Sequence, residues 1–148
     1  MKDNIVYNSL TGNTKLLAET LSSLDLDDDV LYVGFWTNIG QADIKTLNYL
    51  KTLKNKKIFL FGTCGFGLSE DYFAQIIDKT KECIDKSNKV IGYFMCVGKM
   101  PQSVKDRYLK MEDGEKKEML IHNFDLALNH PNDEDLNHLK DIVKNLKK

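Results

Sequence analysis

The chain has little proline, few cysteines and no long apolar run, and each shortage removes a class of protein. Two prolines and nine glycines in 148 residues leave no material for a collagen-like or low-complexity chain. Cys64, Cys83 and Cys96 are odd in number and show neither C-x-x-C nor zinc-type spacing, which points to a reduced, cytoplasmic protein. The most apolar stretches, Lys57–Gly62 and Val90–Val97, fall far short of the ~20 residues a transmembrane helix needs, so no membrane role is expected. Excess charge is missing too. A formal net charge of −1 offers no footprint for nucleic acid, whose binders carry a marked basic surplus. Met1-Lys2-Asp3-Asn4 runs straight into Ile5-Val6-Tyr7, without the apolar region and small-residue cleavage site of an export signal. His122, His130 and His138 lack metal-ligand spacing and read as structural or solvated.

What is present is ordinary globular material, 42% hydrophobic and 29% charged, in a length that suits one domain over residues 1–148. Short apolar runs alternate with longer 3.6-period stripes. Strands are predicted at Ile5–Asn8, Val30–Phe35, Lys57–Gly62 and Val90–Val97. Helices are predicted at Thr14–Leu24, Ala42–Leu53 and Ser69–Asp85, the last with Ser69 as N-cap and Glu70 and Asp71 in its first turn. A C-terminal helix begins after Pro131, and Met100–Asn129 reads as a helical hairpin broken at Asp113-Gly114. Strands that are apolar throughout, separated by helices, indicate an α/β fold with a parallel sheet covered on both faces.

Ligands of such sheets bind beyond the carboxyl ends of the strands. The first strand is followed there by Ser9-Leu10-Thr11-Gly12-Asn13-Thr14. Its hydroxyls can donate to phosphate oxygens, Gly12 permits a tight turn, and the amides opening the next helix point at an anion. The loop lacks the G-K-[ST] ending of a nucleotidase P-loop and is not G-x-G-x-x-G. A phosphate monoester therefore suits it better than a di- or triphosphate, against the plain alternative of an N-capped turn.

That loop closely resembles the [ST]-x-T-G-N-T phosphate loop of the flavodoxin family. The likeness continues through Val33-Gly34-Phe35-Trp36 with Gly40-Gln41-Ala42-Asp43, through Phe61-Gly62-Thr63-Cys64-Gly65 and Phe94-Met95-Cys96-Val97-Gly98-Lys99, and into His130-Pro131-Asn132-Asp133-Glu134-Asp135-Leu136. The resemblance implies a flavodoxin-like doubly wound parallel sheet, one FMN held noncovalently, and redox partner proteins: a reductase as donor and an enzyme as acceptor. Carried over, Ser9, Leu10, Thr11, Gly12, Asn13 and Thr14 would cradle the FMN phosphate. Phe35, Trp36, Thr37 and Asn38, with Thr63, Cys64, Gly65, Phe66 and Gly67, would flank its ring, and Gly65 or Gly67 would present a peptide to the ring edge. Apolar walls and a scarcity of cations would lower the flavin potential. The function implied is electron carriage, with no catalytic residue and no metal. An NAD(P)H-dependent flavin or quinone reductase and a partner-binding domain that has lost flavin are the competing readings.

Some residues keep a bland reading beside a sharp one. Trp36 suits flavin stacking or a core lid. Cys64 and Cys96 end neighbouring strands, as small turn residues or as a thiol pair near flavin. Asp25, Asp27, Asp28 and Asp29 form a solvated loop or a steering patch for a basic partner.

Two departures from the family pattern stand out. Only Asp25–Asp29 separates the first helix from Val30, so four clear strands are expected, with the family's second strand missing or vestigial. Keeping the first helix on its usual face would then demand a left-handed crossover, against the ~98% rule. The exposed first strand would be an edge that a homodimer is one way to cover. The other departure is the helical insert before the last helix, a packing flap, a lid over the flavin or a partner-docking surface.

Overall fold

A computed structural model of the chain describes residues 2–65 and 69–146. The elements run β1 (Ile5–Tyr7), α1 (Asn13–Ser22), β2 (Val30–Asn38), β3 (Gln41–Ala42), α2 (Ile44–Leu50), β4 (Lys57–Cys64), α3 (Glu70–Lys81), β5 (Lys89–Val97), α4 (Gln102–Leu109), α5 (Glu115–Ala127) and α6 (Asp133–Leu146). β1, β2, β4 and β5 pair in that order, all parallel. The expected α/β parallel sheet is present.

Side chains alternate between two cores, as the two-residue period of a strand requires. On one face Val33, Phe35, Ile58, Leu60, Met95 and Val97 pack against Leu47 and Leu50 of α2 and Phe73, Ile76 and Ile77 of α3. On the other, Val30, Tyr32, Phe59, Phe61, Phe94 and Cys96 pack against Leu17, Ala18 and Leu21 of α1 and Leu139 and Val143 of α6. This burial on both faces is why the strands read as unbroken apolar runs.

The face of α1 decides the crossover question. All three β-to-β connections step across the sheet in one direction, yet α1 lies on one face and α2 and α3 on the other. The first crossover therefore has the opposite hand to the second and third. With those two right-handed, as nearly all are, the first is the left-handed exception. Among the described residues no strand lies between α1 and β2, and β1 is an edge paired with β2 alone.

Several element boundaries differ from expectation. The helix predicted from Ala42 starts at Ile44, because Asp43 caps it by accepting from the Thr46 amide and Ala42 joins the small strand β3. β3 pairs antiparallel with the end of β2 through Thr37↔Ala42 and Asn38↔Gln41, leaving a two-residue turn at Ile39-Gly40 with φ of 52° and 77°. The Ser69–Asp85 helix is shorter, at Glu70–Lys81, but its cap is as expected: Ser69 Oγ accepts from the Tyr72 amide at 3.1 Å.

The insert is a helical hairpin, α4 and α5, closed at its base by the Lys99 amide donating to the His130 carbonyl at 2.9 Å. Phe124 and Ala127 of α5 are buried, whereas α4 buries no residue fully. α6 then opens with a reciprocal box: Asn132 Oδ1 accepts from the Asp135 amide, and Asp135 Oδ2 from the Asn132 amide. His130 Nδ1 lies 2.6 Å from the same Asp135 oxygen, so this histidine is structural, as expected.

Candidate functional site

Beyond the carboxyl ends of the four strands lies a cleft of about 390 Å³, within the usual range of ligand pockets. Each strand-end loop contributes to it, and α3 adds Tyr72 while α4 adds Val104 and Arg107.

The loop after β1 is held open by its own side chains. Gly12 sits at φ 91° with nothing within 4 Å of where a Cβ would stand, the left-handed conformation glycine adopts without penalty. Ser9 Oγ accepts from the Gly12 amide at 3.1 Å and the Lys15 amide at 3.2 Å. Two backbone donors at the start of α1 thus converge on one oxygen. Thr11 is exposed at the cleft. Asn13 is a strut between loops: its Nδ2 donates to the Lys99 carbonyl at 2.8 Å and to Thr11 Oγ1 at 3.1 Å. Thr14 faces inward. Its hydroxyl is buried, donates to the Phe35 carbonyl at 3.0 Å and lies 3.1 Å from Thr63 Oγ1. In this arrangement it ties strand ends together and presents no hydroxyl to the cleft, which corrects the expectation that it reaches an anion.

The strand ends place the ring-flanking candidates unequally. Trp36, Thr37, Thr63, Cys64 and Gly65 line the cleft, as do Leu10, Thr11 and Asn13. Ser9 and Gly12 support the loop from behind. Phe35 is not at the cleft: it is wholly buried on the α2–α3 face, its ring against Gly62, where a Cβ would come within 2.4 Å. Asn38 is exposed in the β2–β3 hairpin and does not line the cleft. Phe66 and Gly67 lie outside the described residues.

Thr37 carries the plainest ligand signal. Its Oγ1 is buried and has no hydrogen-bond partner among the described residues, an arrangement folded proteins seldom leave unexplained.

Cys64 and Cys96 do not form a facing pair. Cys64 belongs to the α2–α3 face and Cys96 to the α1–α6 face, because the register sets Thr63, not Cys64, opposite Cys96. Burial pushes the Cys96 thiol well up from its ordinary value, with the charges of Asp135 and Cys64 adding to it. Burial likewise raises the Tyr72 phenol at the cleft, and Cys64 adds to that.

The expected scarcity of cations does not hold. Lys99 and Arg107 both line the cleft, while no carboxylate or histidine does so among the described residues. Arg107 arrives on α4, so the insert walls the cleft as well as packing against the sheet. Nothing in the sequence of the insert marks which face meets the cleft.

Asp43 is a further residue that sequence reasoning did not assign to the site. It is 1% exposed. Its carboxylate accepts from Asn8 Nδ2 at 2.6 Å, the Thr46 amide at 3.0 Å, Thr46 Oγ1 at 2.8 Å and the Trp36 amide at 3.3 Å, and its own amide donates to the Trp36 carbonyl at 2.9 Å. The available signal was a helix cap, an Asp three residues before Thr46.

No helix among the described residues is long and apolar enough to cross a membrane. No group of three or more His, Cys, Asp or Glu among them is placed to hold a metal ion.

Comparison with known proteins gives these observations a family. The family model described as a flavodoxin domain matches residues 4–144. A flavodoxin-like domain-containing protein BilS from Clostridioides difficile is 31% identical, covering 99% of this chain and 96% of its own. Its namesake from Clostridium symbiosum is 34% identical over 92% of this chain and 90% of its own. Among solved structures, the two-electron reduced flavodoxin of Megasphaera elsdenii is 25% identical with a TM-score of 0.43, covering 82% of this chain and 97% of that one. The chain belongs to the flavodoxin-domain family, a family of flavin-binding electron-transfer proteins that typically hold FMN.

Proposed function

We propose that the protein is an FMN-binding electron carrier that takes electrons from a reductase and delivers them to an acceptor enzyme. The observation that carries this reading is the convergence, in one cleft, of a hydroxyl- and amide-rich loop with Trp36 and with the Thr37 hydroxyl, which has no partner among the described residues. A phosphate monoester and a flat heterocycle joined by a short chain would meet both.

FMN supplies the redox chemistry when bound, and the protein supplies holding, orientation and electrostatics. The exposed Thr11 hydroxyl and the backbone amides that open α1 suit the phosphate, since amides at a helix N-terminus favour an anion, while Ser9 shapes the loop by accepting from the Gly12 and Lys15 amides. Trp36 offers a flat, half-buried face for stacking. The Thr37 hydroxyl is a donor for a ring heteroatom. Tyr72, whose phenol burial holds above its ordinary value, is a second neutral donor at the wall. Lys99 and Arg107 favour negative charge added to the ring. The absence of a carboxylate or histidine from the described lining suits a carrier of electrons more than an enzyme with its own acid or base.

Purification tests this. The protein is expected to be yellow, to release FMN on acid treatment, and to oxidise NAD(P)H only when a reductase is added. A colourless protein that FMN cannot reconstitute contradicts the reading. NAD(P)H consumption without a reductase replaces the carrier with a stand-alone reductase.

A further inference from the structure

We infer that Asp43 is the positioning residue that holds the two halves of the cofactor cleft at a fixed separation, an inference that rests on the FMN reading above. Its side chain reaches both halves at once. Through Asn8 Nδ2, at 2.6 Å, it grips the residue from which the Ser9–Thr14 loop departs. Through the Trp36 amide it grips the strand end that carries Trp36 and Thr37, and its own amide returns a bond to the Trp36 carbonyl. The remaining acceptor positions are taken by the Thr46 amide and hydroxyl, which root the side chain in α2.

The fold explains why such a tie is needed here. β1 is an edge strand of three residues whose one neighbour is β2. The ladder ends just past it, where the Asn8 amide donates to the Gly34 carbonyl at 3.1 Å. A short edge strand is the part of a sheet that opens most readily, yet this one carries the loop assigned to the phosphate. The Asn8–Asp43 bond is lateral restraint at that point. Half-buried and short, it belongs to the stronger class of hydrogen bonds, those that involve an ionisable partner.

The consequence is a chelate effect. When two subsites are rigidly spaced, a ligand that fills one finds the other at high effective concentration. FMN engages both halves, whereas riboflavin, lacking the phosphate, engages the ring half alone. Cutting the tie should weaken FMN and spare riboflavin. A residue that merely stabilised the fold would weaken both together.

The test measures FMN and riboflavin affinity by flavin fluorescence for the wild type, Asn8→Ala, Asp43→Asn and Thr46→Val. Asn8→Ala removes the link and leaves the α2 cap. Thr46→Val removes a bond to the same carboxylate and leaves the link. Asp43→Asn turns an amide NH2 towards donors. The expected result is a roughly tenfold fall in FMN affinity for Asn8→Ala, the loss of one strong, half-buried hydrogen bond, with riboflavin affinity unchanged and no change of ratio in Thr46→Val. An unchanged FMN-to-riboflavin ratio in Asn8→Ala, or an equal fall in Thr46→Val, overturns the inference. Asp43→Asn need not fold for this comparison to decide. Should the wild type take up neither flavin, the carrier reading falls, and hydrogen exchange decides the tie. Faster exchange of the residue 8–12 amides in Asn8→Ala than in the wild type supports it, and unchanged exchange overturns it.

Discussion

The hydroxyls of Thr14 and Thr63 lie 3.1 Å apart beneath the cleft. Thr14 has one hydroxyl hydrogen and gives it to the Phe35 carbonyl, so Thr63 is the donor of the pair. The start of α1, β2 and the end of β4 are thereby joined at one buried point. Thr14→Val would leave the Phe35 carbonyl and the Thr63 hydroxyl short of a partner and is expected to destabilise the fold by ~1–3 kcal/mol. Thr11→Ala, at an exposed residue, should leave stability within about 0.5 kcal/mol and weaken FMN binding. Denaturant midpoints and FMN titration of the two variants check the split.

Ile39 occupies the left-handed region at φ 52° while 92% exposed. A β-branched residue there costs on the order of 1–2 kcal/mol, and little burial offsets it. Asn or Gly suits the first position of such a hairpin turn. Ile39→Asn is therefore expected to raise stability by about 1 kcal/mol, seen as a higher melting temperature. An equal or lower one would mean that the exposed side chain makes a compensating contact.

The acid limb of stability should carry a signature of Asp85. Hydrogen bonds from Ser87, and then Lys54 at 3.0 Å, hold its carboxyl down at about 2 from an ordinary 3.8. The unfolded chain then takes up the proton first. The stability that this carboxylate adds is complete above about pH 4 and is lost as pH falls towards 2. Solvent screening keeps the effect small. Asp85→Asn should flatten that part of the stability profile, measured by denaturant titration across the window, and an unchanged slope would contradict it.

Cys96 is 4% exposed, and burial holds its thiol well above the ordinary value. Since the thiolate is the nucleophile, iodoacetamide at neutral pH should leave Cys96 unmodified in the folded protein and label it once guanidinium unfolds the chain. Peptide mass mapping distinguishes the two states. Rapid native labelling would contradict the burial.

The layered architecture was legible because its signals are local: apolar runs for the strands, Ser69 for the start of α3, and Pro131 ahead of α6. The site was legible in part. The loop from Ser9 announced itself by residue type, yet nothing in Thr14 revealed that its hydroxyl turns inward to Phe35. The resemblance carried Phe35 over as a ring contact, and β2, apolar on both faces, gives no alternation from which to choose its side. The β2–β3 hairpin escaped notice because Ile39 stands where Asn or Gly would have marked the turn. Asp43 and Arg107 reach the site through tertiary contacts: one buried beneath it, the other carried there by an insert that the sequence leaves unoriented.

On the carrier reading, the Ser9–Thr14 loop and the Trp36–Thr37 wall form one FMN site. Titration of flavin-free protein with FMN, followed by quenching of Trp36 fluorescence in the wild type and in Thr11→Ala, tests it most directly. Trp36 is the only tryptophan, so the signal comes from the wall while the variant perturbs the loop. Saturable quenching at about one FMN per chain, weakened in Thr11→Ala, is the predicted result. No quenching, or quenching indifferent to Thr11→Ala, would contradict it.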